Sequence, residues 1–343
     1  MKIIRMEKEM IMGEDREFES PHGSTLLSCG EDRILAAWFG GSWEKGSDTA
    51  IWTAVRSQGG WSRPRKTGEQ RGIACWNPVL SAGADGRILL YYKVGPEISR
   101  WRTYVMESFD GGETFSQGRE LVAGDESGGR GPVKNKPIRL RDGTVLAPAS
   151  LEGEIWDAFV DRSQDDGRTW QKSAMVPLRR VLCRETLDSP YNKYHCYGKG
   201  IIQPALWEDE RGEVHMLLRS TSSRIFRSDS ADGGRTWGLA YDTGMPNNNS
   251  GLDLVRLPGG GIVLACNPRE NAPDYYKGAR TPLTLFYSGD NGDSFRELAV
   301  IEDGRGSFAY PAIVCGGRGE LLMTYTWNRR KIGFCRLHYM ETE

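Results

Sequence analysis

The chain has 343 residues, with 45 lysines and arginines against 46 aspartates and glutamates, and a net charge of −1. This balance argues against a general nucleic-acid-binding protein, which carries a basic excess. The longest apolar runs fall short of the roughly 20 residues that cross a bilayer, so we predict no membrane span. The length allows one large repeat-built domain or two ordinary ones.

The start of the chain, MKIIRMEKEMIMG, is interrupted by charged residues and lacks the apolar segment of a secretory signal. The seven cysteines are odd in number, and no two of them form a CxxC pair. We therefore expect reduced thiols and a cytoplasmic protein.

Short alternating apolar runs, bounded by Gly, Asp and Asn, recur along the whole chain, which is rich in glycine, tryptophan and tyrosine. Long stretches with a period of 3.6 residues are missing. This pattern predicts an all-β fold with internal repeats.

One repeat is an apolar strand, a polar turn and a second apolar strand. Its six copies, in chain order, are HGSTLLSCGEDRILAAWFG, WNPVLSAGADGRILLYYKVG, NKPIRLRDGTVLAPAS, IQPALWEDERGEVHMLLRS, NSGLDLVRLPGGGIVLACN and AYPAIVCGGRGELLMTYTW. Four copies place a proline at the same point of the first strand: Pro78, Pro137, Pro204 and Pro311. A third and a fourth strand follow each pair. Six such units predict a six-bladed β-propeller that forms a single domain over residues 1–343.

A second repeat, S-x-D-x-G-x-[TS]-[WF], lies between the third and fourth strands. It occurs as SFDGGETF, SQDDGRTW, SADGGRTW and SGDNGDSF at residues 108–115, 163–170, 230–237 and 288–295, with a worn copy, SQGGW, at 57–61. Its Ser and Asp side chains are suited to bonding the turn backbone, and its Gly to a positive φ. These loops indicate a fold rather than a reaction.

The last unit is one strand short, because only KIGFCRLHYM follows TYTWNRR. The N-terminal segment KIIRMEKEMIM precedes the first unit and can supply the missing outer strand. We predict that it closes the ring and leaves no exposed sheet edge.

Antiparallel strands place the start of each first strand and the end of each second strand on one face of the propeller, near its axis. The S-x-D-x-G loops then lie on the opposite face. The candidate residues before the first strands are His22, Trp76, Asn77, Lys134, Asn135, Lys136, Gln203, Asn249, Ser250 and Tyr310; those after the second strands are Trp43, Glu44, Asp48, Lys93, Glu152, Glu154, Trp156, Arg219, Asn267, Arg269, Trp327, Asn328 and Arg329. Aromatic faces, amides and cations together suit a sugar that carries a carboxylate.

Over nearly its whole length the chain resembles the sialidase-like Asp-box propeller proteins, in particular the bacterial branch labelled predicted neuraminidases. The four loops carry this resemblance, together with HGSTL, WNPVL, YYKVGP, GPVKNKPI, IQPAL, LLRSTSS, NNNSGLDL, SFAYPAI and TYTW. It implies an exo-glycosidase with an arginine cluster for the substrate carboxylate, a tyrosine nucleophile paired with a glutamate, and an aspartic acid as acid/base. Tyr310 matches the tyrosine, Asp48 the aspartate and Arg219 one arginine.

The sequence departs from this family at two positions. His22-Gly-Ser stands where sialidases have Arg-Ile-Pro, and Gln203 or the NNNSG run stands where a glutamate is expected. An alternative is therefore a lyase acting on uronic-acid glycans, in which His22 and Tyr310 move protons while Lys134, Lys136 or Arg219 neutralises the uronate. A third possibility is a glycan-binding propeller without catalysis.

The predicted catalytic residues are His22, Asp48 and Tyr310. The predicted substrate-binding residues are Trp76, Asn77, Lys134, Asn135, Lys136, Gln203, Arg219, Asn249, Asn267 and Trp327. We expect an acidic oligosaccharide as the partner, no cofactor and no metal; His215 and His338 are expected to be structural. The tyrosine-rich insertion at residues 181–200 is a candidate lid over the site.

Overall fold

The computed structural model describes residues 1–30, 32–181, 192–271 and 277–341. These residues form six four-stranded antiparallel blades around a common axis, which confirms the six-bladed β-propeller. One short 3-10 helix, Ile98–Arg100, interrupts the strands. No helix in the described ranges is long and apolar enough to cross a membrane.

The strands of each blade are given from the axis outwards. Blade 1 contains Ser20–Ser28, Ile34–Gly41 and Ala50–Ser57, with Gly60–Trp61 and Arg65–Gly68 outermost; blade 2 contains Cys75–Ala82, Ile88–Val94, Arg102–Ser108 and Arg119–Glu120; blade 3 contains Ile138–Arg139, Val145–Glu152, Trp156–Ser163 and Gln171–Lys172. Blade 4 contains Ile201–Glu208, Val214–Ser220, Arg224–Ser230 and Tyr241–Pro246; blade 5 contains Asp253–Arg256, Ile262–Cys266, Leu283–Ser288 and Arg296–Glu302; blade 6 contains Phe308–Cys315, Glu320–Trp327, Lys331–Met340 and Lys2–Met10. A parallel pair, Arg179–Val181 with His195–Tyr197, lies outside the blades.

The N-terminal strand closes the ring as predicted. Lys2–Met10 pairs antiparallel with Lys331–Met340 and becomes the outer edge of blade 6. Lys8 Nζ also donates to the carbonyl of Ile301 in blade 5, at 2.8 Å. The first and last segments of the chain therefore share one sheet.

The apolar core lies between neighbouring blades. Second strands such as Ile34–Gly41 and Ile88–Val94 are buried along their whole length, because another blade covers each of their faces. This explains why they read as continuous apolar runs rather than as alternating strands.

The S-x-D-x-G loops lie on the face away from the predicted site, which we call the bottom face. Arg33, in the inner turn of blade 1, donates to the carbonyl of Gly111 in the loop of blade 2. Arg87, in the inner turn of blade 2, donates to the carbonyl of Asp166 in the loop of blade 3, at 2.7 Å. The loops thus join adjacent blades, which agrees with the structural role predicted for them from the sequence.

The innermost strand is kinked at the same point in four blades. Its register shifts between His22 and Thr25, Trp76 and Val79, Ile202 and Ala205, and Ala309 and Ala312. The residue at the kink has a positive φ: 61° at Gly23, 42° at Asn77, 55° at Gln203 and 54° at Tyr310. Proline follows in three of these blades and cannot donate to the ladder, so a bulge accommodates it and redirects the preceding side chain.

Two lysines of blade 3 reach across the propeller axis. Lys136 Nζ binds both carboxylate oxygens of Asp253 at 2.9 Å and the carbonyl of Leu254 at 2.7 Å, all in blade 5. Lys134 Nζ binds the carbonyl of Leu252 at 2.9 Å and that of Pro311, in the opposite blade 6, at 2.5 Å. Both ammonium groups therefore hold non-adjacent blades together.

The pairing of Lys136 with Asp253 gives a stability prediction. Lys136→Met leaves a carboxylate that is only 3% exposed without its cation. Because breaking a buried ion pair from one side is costly, we expect the free energy of unfolding to fall by about 3 kcal/mol in urea denaturation. The Lys136→Met/Asp253→Asn double variant should lose less than the sum of the two single losses. If Lys136→Met were as stable as the wild type, the ion pair would not contribute to holding the two blades together.

Candidate active site

Tyr310 and Arg219 form the centre of the top face. Arg219 Nη1 donates to the phenolic oxygen of Tyr310 at 2.9 Å and to Oε1 of Gln203 at 3.0 Å, and its Nε donates to Oδ1 of Asn249 at 3.0 Å. The guanidinium also lies 5.6 Å from the centre of the Trp156 ring. Arg219 is thereby held in one orientation, with the rings of Trp156 and Tyr310 close to it.

Two guanidinium groups, from blades 4 and 5, lie beside the Tyr310 ring, and a third, from blade 6, lies near them. Arg280 lies 5.4 Å from the centre of the Tyr310 ring, and Arg219 lies 5.8 Å from it. Burial lowers the pKa of Arg280, as do the nearby charges of Arg329 and Arg219. Arg329 pairs with Glu44 of blade 1 at 2.5 Å. Three cations brought together in a partly dehydrated place favour binding of an anionic group.

His22 packs beside the tyrosine. Its ring centre is 4.3 Å from that of Tyr310, and its Nδ1 is 2.9 Å from the hydroxyl of Thr326. The side chain is buried, and Nε2 has no hydrogen-bond partner among the described residues. Burial lowers the pKa of His22 well below its usual value, and the surrounding arginines lower it further. The ring is therefore neutral near pH 7, with one nitrogen available.

Gln203 and Glu152 extend the network away from the tyrosine. Gln203 Nε2 donates to Oε1 of Glu152 at 3.1 Å, and the hydroxyl of Ser150 donates to the same oxygen at 3.1 Å. Removal from water raises the pKa of Glu152, although Arg219 lowers it. Gln203 thus stands between the arginine and a carboxyl group, at the position where the resemblance leads one to expect a glutamate.

Asp48 lies on an exposed loop of blade 1. Its Oδ2 accepts hydrogen bonds from the backbone amide of Ser42 at 2.8 Å and from its hydroxyl at 2.6 Å. These bonds lower the pKa of Asp48. The same loop carries Glu44, which reaches Arg329, and Trp43, which is 61% exposed.

Several predicted substrate-binding residues bond the protein itself. The amide nitrogen of Asn77 donates to the carbonyl of Val133, that of Asn135 to Gln203 and Pro204, and that of Asn267 to Pro282 and Phe308. Lys134 and Lys136 make the cross-axis bonds described above. All five side chains connect one part of the propeller to another.

The remaining predicted residues lie around this cluster. Trp76 is buried, and its Nε1 donates to the carbonyl of Gly95 at 2.9 Å. Asn249 is fully buried and has a φ of 54°, in contact with Arg219. Trp327 is half-buried, with its ring centre 6.4 Å from that of Phe308.

His215 is far from this site, on the bottom face. Its Nδ1 is 2.6 Å from Asp229, and its ring stacks on Trp207 with the ring centres 5.0 Å apart. With Asp209 and Glu213 it forms a group of potential metal ligands. However, Asp209 Oδ1 already accepts the amides of Arg211 and Glu213. The polar atoms of His215 are thus used within the fold.

The predicted lid falls largely on residues 182–191, which lie outside the described residues. The end of the insertion is anchored, because the amide of Tyr197 donates to the hydroxyl of Ser222 at 2.5 Å.

The sequence profile of the BNR repeat-like domain matches residues 32–323. This chain belongs to the BNR repeat-like domain family. The match confirms the resemblance noted in the sequence. No curated protein matches the chain.

Several solved structures are similar to this BNR repeat-like protein. A protein of unknown function from Dyadobacter fermentans is 15% identical with a TM-score of 0.73, over 97% of this chain and 98% of its own. The Hadza microbial sialidase Hz136 is 14% identical with a TM-score of 0.75, over 93% of this chain and 66% of its own. The NanB sialidase from Streptococcus pneumoniae is 12% identical with a TM-score of 0.73, over 96% and 70%. The chain thus spans about two thirds of each sialidase, and at these identities the likeness establishes the fold.

Arg280 is the residue of the cluster that the sequence analysis missed. It follows strand 2 of blade 5 by a long loop, and its carbonyl accepts the amide of Phe308 at 2.8 Å, which fixes it beside the start of blade 6. The available signal was topological: Arg280 shortly precedes the third strand of blade 5, Leu283–Ser288, which begins on the top face. No motif marks KGART itself.

Lys134 gives a prediction for pH dependence. Burial lowers the pKa of its amine to about 7, with Lys136 and Arg219 acting in the same direction and Asp253 opposing them. An unfolded lysine titrates near about 10.4. Above pH 7 the folded chain releases a proton that the unfolded chain keeps, so the free energy of unfolding rises with pH.

We therefore expect the stability of the wild type, relative to Lys134→Met, to increase between about pH 7 and about pH 8.5. Urea denaturation at several pH values measures this difference, with the exposed Lys2→Met variant as the control. A pH-independent difference would mean that Lys134 does not lose its proton in this window.

Proposed function

We propose that this protein is a sialidase-like exo-glycosidase that cleaves the bond between a terminal acidic sugar and the rest of an oligosaccharide. The observation that carries the proposal is the grouping of Arg219 and Arg280 beside Tyr310, with Arg329 close enough to act on the charge of Arg280. Guanidinium groups bind carboxylates through paired, directional hydrogen bonds. The fold shared with the two sialidases supports the same substrate class.

Tyr310 is the proposed nucleophile. Its phenolic oxygen bonds the anomeric carbon while the glycosidic carbon–oxygen bond breaks with its electron pair going to oxygen. The phenolic proton moves to Nε2 of His22, the neutral base beside the ring. The departing oxygen takes a proton from a carboxylic acid, for which the sequence suggests Asp48. Water then attacks the anomeric carbon and gives a proton to the resulting carboxylate, while the histidine returns its proton to the departing tyrosine oxygen.

Elimination is a second candidate, favoured by the neutral, buried ring of His22 and its unpartnered Nε2. In a uronate, that nitrogen removes the proton α to the carboxylate, which the arginines neutralise. The β carbon–oxygen bond then breaks, and Tyr310 gives its proton to the departing oxygen. The product carries a carbon–carbon double bond, and no water is added.

Product masses distinguish these reactions. The protein is incubated with sialylated oligosaccharides and, separately, with uronate-containing oligosaccharides. Products whose summed mass exceeds that of the substrate by one water support hydrolysis. Products without that gain, with ultraviolet absorbance from an unsaturated uronate, support elimination. Calorimetric binding of an acidic sugar without any cleavage would indicate a glycan-binding propeller and contradict the enzymatic proposal.

Variants test the residues. Tyr310→Phe and His22→Gln should each lower kcat by about 10²- to 10⁴-fold, because each removes a group that moves a proton or attacks carbon. Tyr287→Phe, in blade 5 and stacked on Arg296 rather than near the axis, is the matched control and should keep its activity. If both site variants kept full activity, the reaction would not take place at this cluster.

A further inference from the structure

A cavity of about 450 Å³ on the top face is connected to the arginine cluster through Glu152 and Gln203. It lies beside blades 2 and 3, and its lining includes Lys45, Trp76, Glu97, Ile98, Glu152 and Lys199. Its size falls within the usual range for small-molecule sites. Lysine and glutamate side chains both line it, so its charge is mixed, unlike that of the neighbouring arginines.

Glu152 belongs to both the cavity and the cluster. It lines the cavity, and its Oε1 accepts a hydrogen bond from the side-chain amide of Gln203. Oε1 of Gln203 in turn accepts a hydrogen bond from Arg219. Arg219 in turn donates to the phenolic oxygen of Tyr310. Both hydrogen bonds to Glu152 reach Oε1, and Oε2 has no donor among the described residues. One carboxyl oxygen is therefore fixed, while the other is available on the side of the cavity.

The two carboxyl groups near the site differ in their environments. The side chain of Glu152 is removed from water, which raises its pKa and outweighs the opposing influence of Arg219 and Lys93. Asp48 is exposed, and the hydrogen bonds from Ser42 lower its pKa. A group that donates a proton near neutral pH needs the first kind of environment.

We infer that Glu152 is the acid that protonates the departing sugar, and that the adjoining cavity receives that sugar. This inference rests on the proposed glycosidase function. The carboxyl proton passes to the glycosidic oxygen as the bond to the anomeric carbon breaks, and the sugar leaves as an alcohol. The resulting carboxylate then takes a proton from the water that attacks the tyrosyl intermediate. The mixed charge of the cavity fits a neutral, hydroxylated sugar.

Leaving-group dependence tests the role of Glu152. Two substrates share the same acidic sugar: one carries a neutral sugar as the leaving group, and the other carries 4-nitrophenol, which departs without protonation. Glu152→Gln should lower kcat/KM for the first by about 10²- to 10³-fold and change it little for the second. Glu210→Gln, in the exposed turn between the first and second strands of blade 4 on the bottom face, is the matched control and should leave both unchanged.

Other results would overturn the inference. An equal loss with both substrates would assign Glu152 a positioning role through Gln203. A leaving-group-dependent loss in Asp48→Asn but not in Glu152→Gln would make Asp48 the acid. If the wild type cleaves neither substrate, the proposed function itself fails. Thermal melting and binding of the free acidic sugar show whether Glu152→Gln is folded with an intact arginine cluster.

The cavity has its own test. Ser99→Trp places a large ring among the lining residues. It should raise KM severalfold for the sugar-linked substrate, while the inhibition constant of the free acidic sugar stays unchanged. An unchanged KM would show that the leaving sugar lies elsewhere.

Discussion

The kink in the innermost strands is the constraint on which the site depends. A regular strand alternates its side chains between two faces, so Asn77, Gln203 and Tyr310 would point into the blade or away from it. A left-handed residue followed by proline interrupts the ladder and lets Gln203 and Tyr310 both reach Arg219, while Asn77 reaches the carbonyl of Val133. A positive φ at a residue other than glycine costs on the order of 1 kcal/mol, and three such residues at one end of the axis indicate strain kept for a function.

The floor beneath these residues is built from lysines rather than apolar side chains. Lys134 and Lys136 project from blade 3 and bind backbone carbonyls and Asp253 on the far side. Lys134 thereby satisfies the carbonyl of Pro311, which directly follows the kink of blade 6. The charge of Lys136 is compensated by Asp253, so the two lysines act beneath the arginines as bonds across the axis.

The sequence predicted the fold because the fold is repetitive. Six matching strand pairs, the loops on the opposite face and the shared last blade all follow from local patterns that recur. It did not distinguish Arg219, which faces the site, from Asn77 and Asn135, which join blades. The reason is that a contact made across the axis has no repeating pattern in the sequence. Arg280 was missed for a related reason: its place depends on a long loop returning to blade 6 rather than on a strand.

The top face is divided into two unlike halves. Arg219, Arg280 and Arg329 come from blades 4, 5 and 6, whereas blade 1 contributes the neutral ring of His22. The cavity with Glu152 lies on the other side, among blades 1, 2 and 3. In the proposed reaction, an acidic sugar bound by its carboxylate lies toward blades 4 to 6. Its leaving group then lies toward the cavity, where removal from water raises the pKa of Glu152.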